Sequence, residues 1–176
     1  MIEYRRHRGY NVDFMLECIF GKNADELKLA FAEDPNTNPS LLSLMSNDRN
    51  RHVREMVAFN PNTPLDILDL LSRDEWEVVR QMVAENRNTP VVILERLSND
   101  LECSVRESVA INQNTPSHVL EKLAADRYTM VKIFVADNPN TSDEVVKAMT
   151  RSSNEYVRRN ACTRLRERGI KYEEDK

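Results

Sequence analysis

Glycine is scarce in this 176-residue chain, at three residues, and tryptophan occurs once. So few glycines argue against a turn-rich β fold and against flexible linkers. No apolar run approaches the ~18 residues needed to span a membrane, so no membrane partner is expected. The opening stretch MIEYRRHRGY is basic but has no apolar segment behind it. That argues against a secretory leader and for a cytoplasmic protein. The three cysteines, Cys18, Cys103 and Cys162, are scattered and show no CxxC spacing. They read neither as a disulfide framework nor as a metal site. There is no glycine-rich phosphate loop, no HExxH and no GxSxG, and His7, His52 and His118 lie far apart. These absences point away from an enzyme, a metal centre and a cofactor.

What the chain does have is a repeat. Asn60, Asn86, Asn112 and Asn138 stand 26 residues apart, with Asp34 in the same slot one period earlier. Five copies follow without insertion or deletion: 34–59, 60–85, 86–111, 112–137 and 138–163. A degenerate copy fits at 8–33, where Met15, Leu16, Ile19, Leu27, Phe31 and Ala32 meet the apolar columns. The expected organisation is one structural domain. Residues 1–33 are an N-terminal segment with a degenerate capping repeat, 34–163 are the five copies, and 164–176 are a C-terminal cap and tail.

Each copy divides into two helical halves. In 60–85, Thr63-Pro64 reads as a start, with Thr as the cap and Pro at the first helical position. Ile67, Leu68 and Leu71 then recur at helical spacing, as do Val79, Met82 and Val83 in the second half. In the first copy the start shifts to Asn38-Pro39, and Thr141 to Glu144 reads as a capping box. Pro61 and Pro139 predict that the preceding helix stops before them. Helices of about ten residues are marginal alone, so the columns must bury one another. They are Leu42/Leu68/Leu94/Leu120/Val146, Met45/Leu71/Leu97/Leu123/Met149, Val53/Val79/Val105/Val131/Val157 and Ala58/Ala84/Ala110/Ala136/Cys162. Cys162 is thus expected to be a small buried residue. Stacked units of this kind form a solenoid in which each copy needs its neighbours.

Three polar columns accompany the core. An acid is followed six residues later by a base at Asp48/Arg54, Asp74/Arg80, Asp100/Arg106 and Asp126/Lys132, while Ser152/Arg158 lacks the acid. Such companions predict an internal ladder, each Asp accepting from a helix start or a neighbouring Arg, rather than a row of arginines gripping phosphates. The two asparagine columns, Asn60/Asn86/Asn112/Asn138 and Asn62/Asn88/Asn114/Asn140, are expected to satisfy backbone groups in turns.

The segment VREMVAFNPNTPLDILDLL, residues 53–71, resembles the leucine-rich repeat variant family, and the likeness extends over about 34–163. The resemblance implies an all-α, right-handed superhelical solenoid without strands. In the family's founding member one helix of each pair is of the 3₁₀ type. The slightly longer repeat here leaves both α-α and α-3₁₀ units open. That founding member also holds an iron–sulfur centre on an N-terminal cysteine cluster; this chain has only Cys18 in the region, so the feature does not transfer. The family implies no reaction.

A non-catalytic scaffold binding another protein is the leading expectation. Repeats that recur in every copy do not look like a catalytic site. The candidate contact residues are variable positions on the second helices: Arg51, Glu77, Thr129 and Glu155 in one column, Glu55, Gln81, Glu107, Ile133 and Arg159 in another, with Trp76 as an anchor. The alternative is nucleic-acid binding through basic terminal residues. The net charge of −4 opposes it, but residues 151–176 carry 8 basic and 5 acidic groups. There, Arg164, Arg166 and Arg168 read as the basic end of a capping helix stopped by Gly169.

Overall fold

The computed structural model describes residues 24–171, together with Cys18 and Gly21. Among them are eleven α-helices and no strand. In chain order they are α1 (Ala24–Glu33), α2 (Pro39–Met45), α3 (Arg51–Phe59), α4 (Leu65–Leu71), α5 (Glu77–Glu85), α6 (Val91–Leu97), α7 (Cys103–Ile111), α8 (Ser117–Leu123), α9 (Thr129–Asp137), α10 (Asp143–Met149) and α11 (Glu155–Glu167). Each 26-residue copy is one short helix and one long helix, and both are α. Of the residues placed in the degenerate copy, Met15, Leu16 and Ile19 lie outside the described set.

The two helix types form two layers. The long helices α1, α3, α5, α7, α9 and α11 stack on one another in order, and each short helix rests against the long helices before and after it. Seven-residue helices such as α4 survive because their apolar columns are sealed in one continuous core. Leu42, Leu68, Leu94, Leu120 and Val146 are fully buried, as are Val53, Val79, Val105 and Val131. At the two ends the columns change. Ala32 is buried, but Leu27 and Phe31 are exposed. At the other end Cys162 is only half-buried and Ala161 and Leu165 fill the core, since no described long helix follows α11.

The helix starts differ from the expectation by one residue. Pro64 itself is the N-cap of α4, and its carbonyl accepts from the backbone N–H groups of Ile67 and Leu68. Thr63 is buried and donates its hydroxyl to Val57 O, 2.5 Å away in the preceding long helix. Thr89, Thr115 and Thr141 repeat this bond to Val83, Val109 and Val135. The threonine therefore closes the end of one helix instead of starting the next. In the last copy the cap passes to Ser142, which accepts from Val145 N. Asn38 caps α2 as expected. Helices α3 and α9 stop before Pro61 and Pro139, yet α5 and α7 stop at the same place with no proline. What these ends share is an asparagine C-cap in extended conformation.

That asparagine is the main tie between copies. Asn86 Nδ2 donates to Ala58 O at 2.8 Å and Asn60 O at 2.9 Å, while its Oδ1 accepts from Asn88 N. Asn60, Asn112 and Asn138 make the corresponding bonds. The second column is more exposed: Asn62 and Asn88 donate to Pro35 O and Pro61 O one copy earlier. All four buried side chains of the first column thus donate to main-chain carbonyls, of which Asn60 O, Asn86 O and Asn112 O also accept from a threonine backbone N–H.

Candidate functional site

The arginine row, the natural place to look for an anion site, is closed. Arg54 reaches the aspartate of the next copy, with Nε 2.7 Å from Asp74 Oδ2 and Nη2 3.1 Å from Oδ1. Arg80 grips Asp100 and Arg106 grips Asp126 in the same bidentate way. The third donor, Nη1, goes back to the main-chain carbonyl of the companion six residues earlier: Asp48 O for Arg54, Asp74 O for Arg80 and Asp100 O for Arg106. Each Asp also accepts from the backbone N–H two residues on, at the start of the long helix. The row begins one copy earlier than the pairs suggested, with buried Lys28 lying 2.8 Å from Asp48. Lys28 stands one period before Arg54, a signal that the repeat frame contained.

Burial alone would raise the Asp100 and Asp126 carboxyls. The hydrogen bonds from Arg80 and Arg106, the backbone donors and the arginine charges outweigh it and hold both below the usual carboxylate range. The guanidinium groups of Arg54, Arg80 and Arg106 are raised in turn, chiefly by their hydrogen bonds to the same aspartates. From Lys28 to Asp126 the ladder is paired step by step, which holds copies together and leaves these cations little for a phosphate.

The candidate contact columns divide by exposure. Glu77, Glu155 and Arg159 are exposed; Arg51, Glu55, Gln81, Glu107, Thr129 and Ile133 are half-buried, because neighbouring long helices stack directly beside them. Ile133 packs on the core. Several of the others are already occupied: Glu55 with His52, Gln81 with Glu85, Thr129 with Asn154 and Arg159 with Glu155.

Trp76 is 40% exposed at the start of α5, with the Arg51 guanidinium 4.5 Å above its ring. It belongs to a larger feature along the edge where short helices turn into long ones. Leu101 of the next copy is 84% exposed, Tyr128 and Met130 follow in the copy after that, and Tyr156, 71% exposed, in the last. Arg127 and Arg106 lie 4.9 and 5.4 Å from the Tyr128 ring. Four consecutive copies thus each present an exposed apolar side chain at one edge. Sequence reading found Trp76 and missed the rest. The signal was an apolar residue in a polar column: Leu101 stands where other copies have Arg49, Glu75, Arg127 and Ser153.

Among the described residues, no group of three or more His, Cys, Asp or Glu is placed to hold a metal ion. Nor is any described helix long and apolar enough to cross a membrane. No curated protein matches the chain. A solved structure described as a leucine-rich repeat variant with a novel repetitive protein structural motif is 21% identical, with a TM-score of 0.42, over 88% of this chain and 71% of that one. The family model for the leucine rich repeat variant matches residues 51–75, the stretch that runs from α3 through α4. The chain is a helical-repeat solenoid whose residues 51–75 match the leucine rich repeat variant and whose other copies keep the same 26-residue frame.

Proposed function

We propose that this protein is a non-catalytic scaffold that binds another protein along the edge formed by Trp76, Leu101, Tyr128, Met130 and Tyr156. The observation that carries the reading is the row itself: large apolar and aromatic side chains, exposed in four successive copies and flanked by arginines. Aromatic residues and Arg are the types that anchor protein interfaces. The rigid stack sets their spacing, so a partner would meet a preorganised surface. The three cysteines are unpaired thiols, which suits a cytoplasmic setting.

The nucleic-acid alternative draws less support. Two of the basic C-terminal residues on which it depends are engaged within the protein: Arg164 with Asp137 and Glu167, Arg168 with Asp143 and main-chain carbonyls.

The test is affinity capture from host cells with the wild-type protein and the triple variant Trp76→Ala/Leu101→Ala/Tyr128→Ala. These positions are exposed, so the variant should keep its helical circular dichroism. A protein partner retained after nuclease treatment and lost with the variant is the expected result. A partner lost on nuclease treatment, or retained by the variant, overturns the assignment.

A further inference from the structure

We propose that Lys132 and the walls around it form a carboxylate-binding pocket, in which the acid group of a ligand takes the place of the aspartate that the ladder lacks at Ser152. In the four preceding steps the cation meets a carboxylate at 2.6 to 2.8 Å: Lys28–Asp48, Arg54–Asp74, Arg80–Asp100 and Arg106–Asp126. Lys132 is the next cation in the row, and position 152 is serine. Ser152 keeps the local role of the acid, its Oγ accepting from Asn154 N at 3.2 Å, but brings no charge. Among the described residues the Lys132 ammonium has no ion-pair or hydrogen-bond partner.

A second departure opens the same place. On the short-helix side, Arg96 reaches Asp69 and Ser72 of the copy before, and Lys122 reaches Ser98 and Asn99. These long cations cover the step between neighbouring copies. One period on, the cation is replaced by Ala148 and its acceptors by Ala124 and Ala125. The result is a pocket of about 570 Å³ lined by these alanines, Lys132, Ser152, Val145, Met149 and Val157. Changes at 124, 125, 148 and 152, distant in sequence, thus converge on one unpaired ammonium.

The chemistry of the walls selects the ligand. An ammonium at a partly buried position favours an anion that can desolvate with it. The apolar wall of Val145, Met149 and Val157 suits a carboxylate on a short aliphatic body. Glu121 and Glu144, which also line the pocket and are exposed, repel a phosphate dianion more strongly than a monocarboxylate. Arg151 lines it too and already takes part in an interaction. The carboxylate could belong to a small organic acid or to a glutamate side chain of a bound peptide.

The test is an NMR titration of the full chain with butyrate, with a blocked peptide carrying one internal glutamate, with its glutamine counterpart, and with inorganic phosphate. Butyrate or the glutamate peptide should give saturable shifts at Val145, Ala148, Met149 and Val157. The glutamine peptide and phosphate should bind about tenfold more weakly or not at all. Tighter binding of butyrate identifies a small acid as the source, and tighter binding of the peptide a protein side chain. Ser152→Asp should rebuild the ladder pair, raise the melting temperature and abolish the shifts; Lys132→Met should abolish them and Lys132→Arg preserve them. Absence of saturable shifts from both carboxylates, phosphate binding as tight as theirs, or binding that survives both Ser152→Asp and Lys132→Met overturns the proposal.

Discussion

At the scale of single residues, the ladder sets how the protein responds to acid. Asp126 accepts two bonds from Arg106 and one from Tyr128 N, and its folded-state carboxyl lies below the usual range. A depressed carboxyl contributes stability that is present above its unfolded pKa, about 4, and lost as pH falls through the folded value. Asp126→Asn should therefore cost about 2 kcal/mol at neutral pH. That difference from the wild type should shrink in urea melts at about pH 2.5, below the unfolded pKa, where part of this contribution is lost. An equal difference at both pH values would show that the charge of Asp126 is irrelevant to the fold. Arg80→Ala acts on Asp100, its partner in the next copy, and leaves Asp74 with Arg54. The partnership is hard to see in the sequence because a 26-residue period makes six residues back and twenty residues forward the same pair of columns. Periodicity names the columns; only the stacking decides which copy supplies the acid.

At the scale of elements, seven- and nine-residue helices depend on what ties their ends. The buried Asn112 donates to Ala84 O and Asn86 O and accepts from Asn114 N. Asn112→Ala would leave two buried carbonyls without these donors, at a cost of about 3 kcal/mol. Asn88→Ala, which removes an exposed bond to Pro61 O, should cost under about 1 kcal/mol. Denaturant melts of the two variants measure the contrast, and similar losses would mean that the buried column is not the stronger tie. The period, the number of helices and the apolar columns were legible because they are written five times over. The exact starts were not. Thr63 has the side chain of a helix cap, but its hydroxyl is drawn six residues back to Val57 O, a partner that appears only once the turn has closed. The edge was half-legible: a lone Trp76 draws attention, whereas Leu101 looks like any other leucine until its column is known to face solvent.

At the scale of the whole molecule, a stack must end its ladders as well as build them. One period after Asn138 stands Arg164, so the asparagine tie cannot continue in its own form. Arg168 replaces it from the end of α11. Its Nη2 donates to Asn138 O at 3.0 Å and its Nη1 to Thr141 O at 2.8 Å, with Asp143 Oδ1 at 3.0 Å. Gly169, at φ +70°, then turns the chain, and Ile170 N donates to Leu165 O at 2.9 Å while Ile170 packs on the core. This is the left-handed helix stop for which glycine is suited. Leu165 is fully buried. Removing 164–176 by truncation after Thr163 would expose the last core column and remove the Arg168 bonds to Asn138 O and Thr141 O. Loss of Leu165 burial alone is worth about 1.5–3 kcal/mol. The truncated protein should melt at lower denaturant than the full chain, or aggregate, and Arg168→Ala should reproduce part of the loss, about 1–2 kcal/mol. If the segment were instead a basic contact, the truncated protein would keep its stability and lose a binding activity that weakens with salt. Urea melts and salt-dependent binding, measured on the same two proteins, separate a cap from a contact.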